Sequence, residues 1–393
     1  MAELLLELLS EEIPARMQAR AAADLGDLVG AALKEAELSP TDVRTLATPR
    51  RLTLVARGLP ARQPDLEIER RGPRVGAPEA AVKGFVNSLG VADYVLEERD
   101  DRKGRVHVAR YRRTGRPARE VLGPVLETVL ARFPWPKSMR WGDHSVRWVR
   151  PLHSILCVLD GDVVEGLAFG PIKAGCETRG HRFLAPEPIE ARGFDAYRAK
   201  LAAAFVLLDP AERRAAILEE ATRLAGAESL RLRDDPGLLD ELTGLVEWPV
   251  VLLGRIDERF TELPEEVLVT SMRHHQKYLA LEDQTGALAP RFVLVANLPA
   301  KDGGKAIVAG NERVLRARLW DAQFFWDQDR KRALSSRVAE LDGVVFHAGL
   351  DSLGAKAARL EGLAAWLAGH IPGADVEHAA RAGHLAKADL VSG

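Results

Sequence analysis

The pattern of hydrophobic and polar positions predicts strands and helices in alternation at the start of the chain. Residues 4–9 form a short apolar run that predicts a strand. Pro14 suits the first turn of a helix, and apolar residues then recur at spacings of four and three up to about Leu38. Residues 52–56 alternate as a half-buried strand does. We therefore expect a layer of strands and helices here.

The middle of the chain mixes shorter elements of both kinds. In chain order, the patterns predict a helix over 121–133, a hairpin of strands over 153–160 and 163–169, a helical stretch over 194–227 interrupted by a strand-like segment at 204–209, a helix over 238–245, a strand from 250, a short helix over 265–273, and strands over 278–281 and 290–298. Strands and helices of this kind together indicate an α+β fold.

The last part of the chain has the period of helices only. A long helical stretch runs from about 305 to 341, with Leu315 and Leu319 among the residues of its apolar face. Residues 351–393 are alanine-rich and helical in pattern, with a break at 369–373. The sequence thus predicts an all-helical region over 305–393.

Length and charge limit the class of protein. A chain of 393 residues is long enough for two or three domains, which we place at 1–150, 151–304 and 305–393. The net charge of -2 means that a polyanionic partner must be held by local basic patches. Cys157 and Cys176 form no CxxC pair, and the sequence has neither a secretion signal nor an apolar run of membrane-spanning length. We expect a cytoplasmic protein with no membrane partner.

Two stretches are basic enough to suggest contact with nucleic acid. Residues 133–150 interleave tryptophans with lysine and arginine, which is typical of a nucleic-acid surface. The alternative is that the tryptophans anchor a core and the arginines form its solvated rim. Residues 102–119 carry eight lysines or arginines and no carboxylate. A solvated strand face is the alternative there.

Common catalytic and metal sites have no matching pattern in the sequence. The glycines at 303 and 304 lack the spacing and the Ser or Thr of a phosphate-binding P-loop. His378 and His384 are six residues apart, about 120° from each other on a helix, so they do not share a ligand face. We predict no catalytic residue, no metal site and no cofactor in this chain.

Several long strings of the sequence, taken together, carry a resemblance to a known family. The strings are SEEIP, TPRRLTL, EIERRGP, PKSMRWGDHSVRWVRP, RGHRF, LVEWPVVL, QKYLAL, FVLVANL, GNERVLRARLWDAQFFWDQDRK and RAGHLAKADL. In order and separation they closely resemble the β subunit of the bacterial two-subunit glycyl-tRNA synthetase, from Glu11 to Asp389.

The resemblance implies a role in an α2β2 complex. In such an enzyme the α subunit carries the class II active site, with its ATP and Mg, and makes glycyl-adenylate. The β subunit binds tRNA(Gly) and is needed for charging. The family's fold implies an α+β region resembling the B3/B4 module, followed by the start of a helical HD-like domain. The family's anticodon-binding domain has no counterpart in these residues, so we expect an N-terminal fragment or a shortened form.

Two other functions stay open beside this one. An HD-type metal-dependent phosphohydrolase needs an adjacent His-Asp pair, and that dipeptide is absent from the sequence. A stand-alone RNA-binding module would need only basic and aromatic surface. Editing of mischarged tRNA is not expected, because a pocket sized for glycine already excludes larger amino acids.

The candidate RNA contacts are the basic and aromatic residues within the family-like strings. They are Arg50, Arg51, Lys137, Arg140, Trp141, Arg147, Arg150, Arg179, Arg182, Arg273, Lys277, Arg313 and Arg316. Some of them are expected to pair with carboxylates instead, as Glu312 and Arg316 would at positions i and i+4 of a helix.

Overall fold

The computed structural model describes residues 2–101 and 104–392. The chain divides into two compact units. Unit 1 comprises Met1–Ala221, Asp235–Val251 and Val295–Pro299, and unit 2 comprises Thr222–Asp234, Leu252–Leu294 and Ala300–Gly393. The α+β prediction is confirmed at this level, because several sheets and helices make up the described residues.

The strands of the first half include those predicted over 4–9, 52–56 and 153–160, together with others that the alternation does not predict. They are β1 (Ala2–Ser10), β2 (Asp42–Ala47), β3 (Arg51–Leu59), β4 (Leu66–Arg74), β5 (Val95–Arg99), β6 (Val106–Arg113), β7 (Leu152–Leu159), β8 (Asp162–Val163), β9 (Ala168–Phe169), β10 (Ile172–Gly175), β11 (Glu177–Arg179) and β12 (Pro188–Glu190). The hairpin over 153–169 is present, but its second strand, β8, has only two residues.

The helices of this half begin after prolines or glycine in most cases. They are α1 (Ala15–Glu35), α2 (Glu79–Asn87), α3 (Ala118–Ala131), α4 (Phe194–Ala203), α5 (Pro210–Ala227) and α6 (Pro236–Thr243). Pro14, Pro78 and Pro117 precede α1, α2 and α3, where a fixed φ favours the first turn. Asp235 caps α6 by accepting a hydrogen bond from the backbone N–H of Leu238.

A seven-stranded sheet forms the centre of unit 1. Its order is β2-β3-β1-β7-β10-β9, with β8 paired to β7. β1 lies between β3 and β7, antiparallel to both, and almost all of its residues are buried. Because β7 pairs with β1, this sheet continues across the domain boundary that the sequence analysis places at residue 150.

Both faces of this sheet are covered, which explains the continuous apolar run of β1. Leu4, Leu6 and Leu8 face a core that includes residues of α1 and α3. Leu5 faces a second core built with Phe194 of α4. Glu7 also points toward α4, because residues two apart on a strand share a face. A carboxylate therefore lies inside a strand that is buried on both sides.

A smaller three-stranded sheet interrupts unit 1 between β3 and α3. Its order is β4-β6-β5, and the helix of this segment is α2. Arg62 forms an isolated bridge with Pro117, and the N–H of Ala118 donates to the carbonyl of Ala61 at 2.9 Å. The chain thus leaves the main sheet and returns to it at adjacent points.

Unit 2 combines a four-stranded sheet with helices. Its elements are β13 (Arg231–Leu232), β14 (Val250–Arg255), α7 (Glu265–Thr270), a single π-helical turn (Ser271–Gln276), β15 (Leu279–Glu282), β16 (Leu288–Ala296), α8 (Lys305–Arg330), β17 (Val345–His347), β18 (Asp351–Ser352), α9 (Leu353–Ala368) and α10 (Val376–Leu385). Three short 3-10 helices lie at Glu258–Phe260, Leu334–Gly343 and Ala388–Val391. The sheet order is β13-β15-β16-β14.

Three of the sequence predictions are wrong. The region 305–393 is not all-helical, because β17 and β18 pair within it as two short antiparallel strands. Residues 204–209 are not a strand, because Val206 and Leu208 are buried as the chain leaves α4 and only the N–H of Leu207 donates to a distant backbone carbonyl, that of Glu247. The helix from 305 does not reach 341, since α8 ends at Arg330 and a 3-10 helix follows. The break at 369–373 is confirmed, because α9 ends at Ala368 and α10 begins at Val376.

Candidate nucleic-acid interface

One end of the seven-stranded sheet gathers segments that are far apart in the sequence. Ser10 ends β1 opposite Leu152, where β7 begins, and Leu9 lies opposite Arg51, where β3 begins. The N–H of Glu11 donates to the carbonyl of Pro151 at 2.9 Å. We call this the basic end of the sheet and define it by Glu11, Glu12, Arg50, Arg150, His153 and the loop 179–184.

A buried ion cluster lies directly beneath the basic end. Arg51 is 0% exposed, its Nε is 3.2 Å from Oε2 of Glu7, and its Nη1 donates to Oε1 of Glu247. Its Nη2 donates to the backbone carbonyls of Arg179 and Gly180, the latter at 3.2 Å. The prediction that Arg51 contacts RNA is wrong, because its side chain is buried and each of its three guanidinium nitrogens donates to a partner within the protein.

The two carboxylates of this cluster differ in their tendency to ionise. Burial raises the pKa of Glu7, against the opposing effects of Arg51 and of the Tyr197 hydroxyl, which donates to it at 2.5 Å. Burial alone would also raise the pKa of Glu247, but Arg51 and the Thr48 hydroxyl outweigh it and hold that pKa below its ordinary value. The Arg51 charge is therefore balanced mainly by Glu247.

The loop 179–184 is fixed from inside. His181 is fully buried, and its Nδ1 accepts the backbone N–H groups of Phe183 and Leu184 at 3.3 Å each. Burial lowers the pKa of His181, which favours the neutral ring that can accept these bonds. Gly180 has no room for a side chain, since a Cβ there would lie 2.5 Å from the Cβ of Ala204. The loop therefore holds one conformation against the core.

Cationic side chains surround Glu11 at the surface of the basic end. Arg182 donates to Glu11 at 3.3 Å and also to Glu12. Nε2 of His153 is 2.8 Å from the Glu11 carboxylate, and Arg50 lies 3.9 Å from it. Burial alone would raise the pKa of Glu11. The hydrogen bond from His153 and the nearby arginines have the larger, opposite effect, so the pKa of Glu11 lies below its ordinary value. Glu11 is thus an ionised residue that aligns three cationic or titratable groups.

Two more of the predicted RNA contacts lie at the same end. Arg179 is exposed and donates to the Pro186 carbonyl at 2.7 Å. Arg150 is exposed and donates to the Val149 carbonyl at 3.1 Å. Both guanidiniums keep further N–H donors, because each of these bonds uses only one. Four predicted positions, at 50, 150, 179 and 182, therefore come together here.

The tryptophans of the stretch 133–150 belong largely to the core. Trp148 is 1% exposed, and its ring lies 5.1 Å from that of Trp135 and 5.6 Å from that of Phe169. Trp141 is half-buried against the same core. The core interpretation of these tryptophans is thus confirmed for Trp148, and it leaves Trp141 only partly available to a ligand.

The cations of this stretch remain at the surface. Arg147 donates to the hydroxyl and the carbonyl of Ser138, at 3.1 and 3.0 Å. Lys137 and Arg140 are exposed, and the structure gives them no carboxylate partner among residues 2–101 and 104–392. These side chains are free to meet an anionic ligand.

Five arginines of the basic run 102–119 form ion pairs with carboxylates. Arg110 and Arg99 both bind Glu69 and lower its pKa to about 2. The other pairs in the run are Arg105 with Glu98, Arg112 with Asp65, Arg113 with Glu37 and Arg116 with Glu120. Arg102 and Lys103 lie outside the described residues. The interpretation of this run as a solvated strand face is confirmed for the paired arginines.

The remaining candidates lie in unit 2. Arg273 is part of the π-helical turn, and Lys277 follows it with a φ of 60°, in the left-handed region. Arg313 is exposed on α8, and Arg316 approaches Asp257 at 3.5 Å. The predicted pair of Glu312 with Arg316 is wrong, because the Glu312 carboxylate accepts the backbone N–H of Arg255 at 2.9 Å.

The histidines of the last helices have separate partners. His378 lies 3.2 Å from Asp375, and His384 lies 2.9 Å from Glu361. In the part of the chain that the structure describes, three or more metal-ligating side chains do not converge at any point. A membrane-spanning helix is also not found among those residues.

The residues that organise the basic end are not among those predicted from the sequence. These are Glu7, Glu247, Tyr197, His181 and Phe183. Two signals were present: Glu7 interrupts an otherwise apolar strand, and Glu247 lies between the apolar residues Val246 and Trp248. A carboxylate in such a position requires a buried cation or donor. The sequence alone does not say that Arg51 supplies it.

Comparison with known proteins gives a consistent result. A family described as Glycyl-tRNA synthetase beta subunit matches residues 4–393. Proteins named glycine–tRNA ligase beta subunit from Rhodospirillum centenum, Ruegeria sp. and Paracoccus denitrificans are each 49% identical to the chain. The matches cover 100% of this chain and 59%, 58% and 58% of those relatives. The chain thus spans less than two thirds of the length of the curated relatives it matches.

Proposed function

The chain belongs to the glycyl-tRNA synthetase β subunit family, and from this we propose that it binds tRNA(Gly) and assembles with a catalytic α subunit for ATP-dependent glycylation of tRNA. The observation that carries the proposal is the match of the family over residues 4–393. The name of that family, beta subunit, supports a partner subunit in a complex. A ligase of this kind works in the cytoplasm, where translation takes place.

In this division of labour the chain has no aminoacylation site of its own. ATP and Mg are bound by the α subunit, which activates glycine. The sequence agrees, since it has no spacing typical of an ATP-binding loop. We therefore infer that the isolated chain neither activates glycine nor charges tRNA.

We further propose that the basic end of the sheet is the part of unit 1 that meets the tRNA backbone. The support is electrostatic: the net charge is only -2, so phosphate binding depends on local cations, and four of them lie at this end. Arg51 is excluded because it is buried. The remaining candidate contacts are Arg50, Lys137, Arg140, Trp141, Arg147, Arg150, Arg179, Arg182, Arg273, Lys277, Arg313 and Arg316.

The finer fold assignments belong to the same proposal. We infer a B3/B4-like arrangement for the α+β region and an HD-like one for the helices after residue 305. An HD phosphohydrolase is disfavoured, because the sequence lacks an adjacent His-Asp pair and the carboxylate partners of His378 and His384 are different.

Two measurements test the proposal. The chain, co-expressed with a class II α subunit of glycyl-tRNA synthetase, is expected to co-purify with it and to bind tRNA(Gly) in a salt-dependent manner. The chain alone is expected to show no glycine-dependent exchange of pyrophosphate into ATP. Failure to bind both α subunit and tRNA would overturn the assembly and RNA-binding roles. Exchange activity in the pure chain would overturn the division between subunits.

A further inference from the structure

Phe183 presents an aromatic ring to solvent in the middle of the basic end. Its side chain belongs to a residue that is 68% exposed, although burial of a phenylalanine ring is favourable in folding. Isolated apolar residues on a surface are common and need no special explanation. Phe183 differs from them in two respects, the rigidity of its support and the charge of its neighbours.

The support of Phe183 is built from buried polar groups. Nδ1 of His181 accepts the N–H of Phe183 itself at 3.3 Å. Arg51 holds the carbonyl of Gly180 at 3.2 Å, and Gly180 is pressed against Ala204. Each of these anchors is fully or almost fully buried. The exposed ring is therefore attached to a backbone that buried groups anchor on both sides of Arg182.

One cation lies directly over the ring, and others belong to the same end of the sheet. The guanidinium of Arg182 lies over the ring of Phe183, 5.4 Å from its centroid. Arg179 is exposed on the same loop, and Arg50 is joined to Arg182 through Glu11. A protein partner would favour an apolar surround for such a ring, whereas a cationic surround favours a ligand that is both flat and anionic.

We propose that Phe183 is a stacking platform for one unpaired nucleobase of RNA, with Arg182 and Arg179 binding the phosphates beside that base. Every base has a π face, so one exposed ring on a rigid support binds an unpaired base whatever its identity. Glu11 and Glu12 hold Arg182 in place before binding, and a phosphate then competes with them for its donors. This inference rests on the proposed tRNA-binding function and adds a specific site to it.

The first test compares substitutions of Phe183 in the full chain. The affinity for a tRNA(Gly) transcript and for a single-stranded RNA oligomer would be measured by fluorescence anisotropy. Phe183→Ala is expected to weaken binding roughly 5- to 150-fold, while Phe183→Trp keeps wild-type affinity and Phe183→Leu does not. Phe346→Ala is the matched control, because Phe346 is also exposed and has a cation, Lys356, over its ring at 3.8 Å. This control should bind as the wild type does.

A second test asks whether the ring contacts a base. Single abasic nucleotides would be placed in turn along the unpaired 3′ end of the tRNA. At the stacked position, the loss caused by the abasic site and the loss caused by Phe183→Ala should not add, because each removes the same contact.

The outcomes separate this inference from the function on which it rests. If the wild-type chain binds neither RNA, both are overturned. If the wild type binds and Phe183→Ala binds equally well, or Phe183→Leu restores affinity fully, the stacking role alone is overturned. If Phe183→Ala keeps its RNA affinity but loses the α subunit, the ring is a protein contact and the inference is wrong.

Discussion

Nη2 of Arg51 donates to the carbonyl oxygen of Gly180 at 3.2 Å, across 129 positions of the sequence. A buried arginine of the central sheet thereby supports the backbone of a surface loop. The same guanidinium binds Glu7 and Glu247. The buried ion cluster and the surface loop are thus connected through Arg51. Substitutions in the cluster should therefore change the conformation of the loop at the basic end.

Replacing Arg51 by Met should destabilise the protein by about 3–5 kcal/mol, since it leaves Glu7 and Glu247 buried without their cation. The free energy of unfolding in urea measures this. Arg44→Met is the matched control, because Arg44 is exposed and forms a surface pair with Asp209 at 2.6 Å. We expect less than about 1 kcal/mol for it. Equal losses in the two variants would contradict the structural role of Arg51.

The two buried carboxylates should respond differently to neutralisation. Glu7→Gln is expected to cost about 1 kcal/mol at neutral pH, because burial raises the pKa of Glu7 and the folded protein therefore gains little from its charge. Glu247→Gln should cost about 3 kcal/mol, since the lowered pKa of Glu247 marks it as the ionised partner of Arg51. Urea unfolding of both variants at pH 7 gives the order. The reverse order would show that Glu7 carries the balancing charge.

Stability should fall as the pH is lowered below about 6.5, in part because of His181. The pKa of His181 is lowered in the folded protein by burial, so between its unfolded and folded pKa values only the unfolded chain binds the proton. The loss is at most about 1.4 kcal/mol per pH unit for one proton. It is absent above the unfolded pKa, where both states are neutral.

The measurement compares wild type with His181→Asn in urea between pH 5 and pH 8. The variant has no titrating group at this position, so the difference in unfolding free energy between the two proteins should shrink as the pH falls. A difference that stays constant over this range would mean that His181 does not titrate differently in the two states.

Arg182→Ala should weaken tRNA binding and reduce the dependence of log affinity on log salt by roughly one ion. Its guanidinium is at the basic end, where it pairs with the carboxylates of Glu11 and Glu12 at the surface. Arg110→Ala is the control, because Arg110 is also a surface arginine paired with a carboxylate, Glu69, but lies on β6 of the three-stranded sheet. The control should leave both affinity and salt slope unchanged. If Arg110→Ala weakened tRNA binding more than Arg182→Ala, the RNA-binding surface would lie on the three-stranded sheet and not at the basic end.

Periodicity predicts the long elements of this chain well and the short ones poorly. β1 is a short continuous apolar run and α1 has apolar residues at helical spacing, and the structure agrees with both predictions. Residues 204–209 have the composition of a strand but do not form one, because a chain that crosses a core after a helix buries the same kinds of residue. The apolar spacing continues past the end of α8 because a 3-10 helix, with three residues per turn, follows it.

The site was less predictable than the fold, for a physical reason. The basic character of residues at 50, 150, 179 and 182 is visible in the sequence, but their meeting depends on strand pairing across the sheet. Arg51 has the same local signal as Arg50, and only the register of β1 against β3 turns one of them inward toward Glu7. Phe183 carries no local signal at all, because its exposure depends on the buried partners of the loop.

The three-stranded sheet between Arg62 and Pro117 leaves and rejoins the main body at neighbouring points. The gap between the end of β3 and the start of α3 is therefore short, and it does not depend on how many residues the chain places between Arg62 and Pro117. Such a segment can be lengthened, replaced or lost during evolution without changing the register of the strands in the main sheet. For an engineer, it is the place in unit 1 where a reporter domain can be substituted while β3 and α3 keep their present positions.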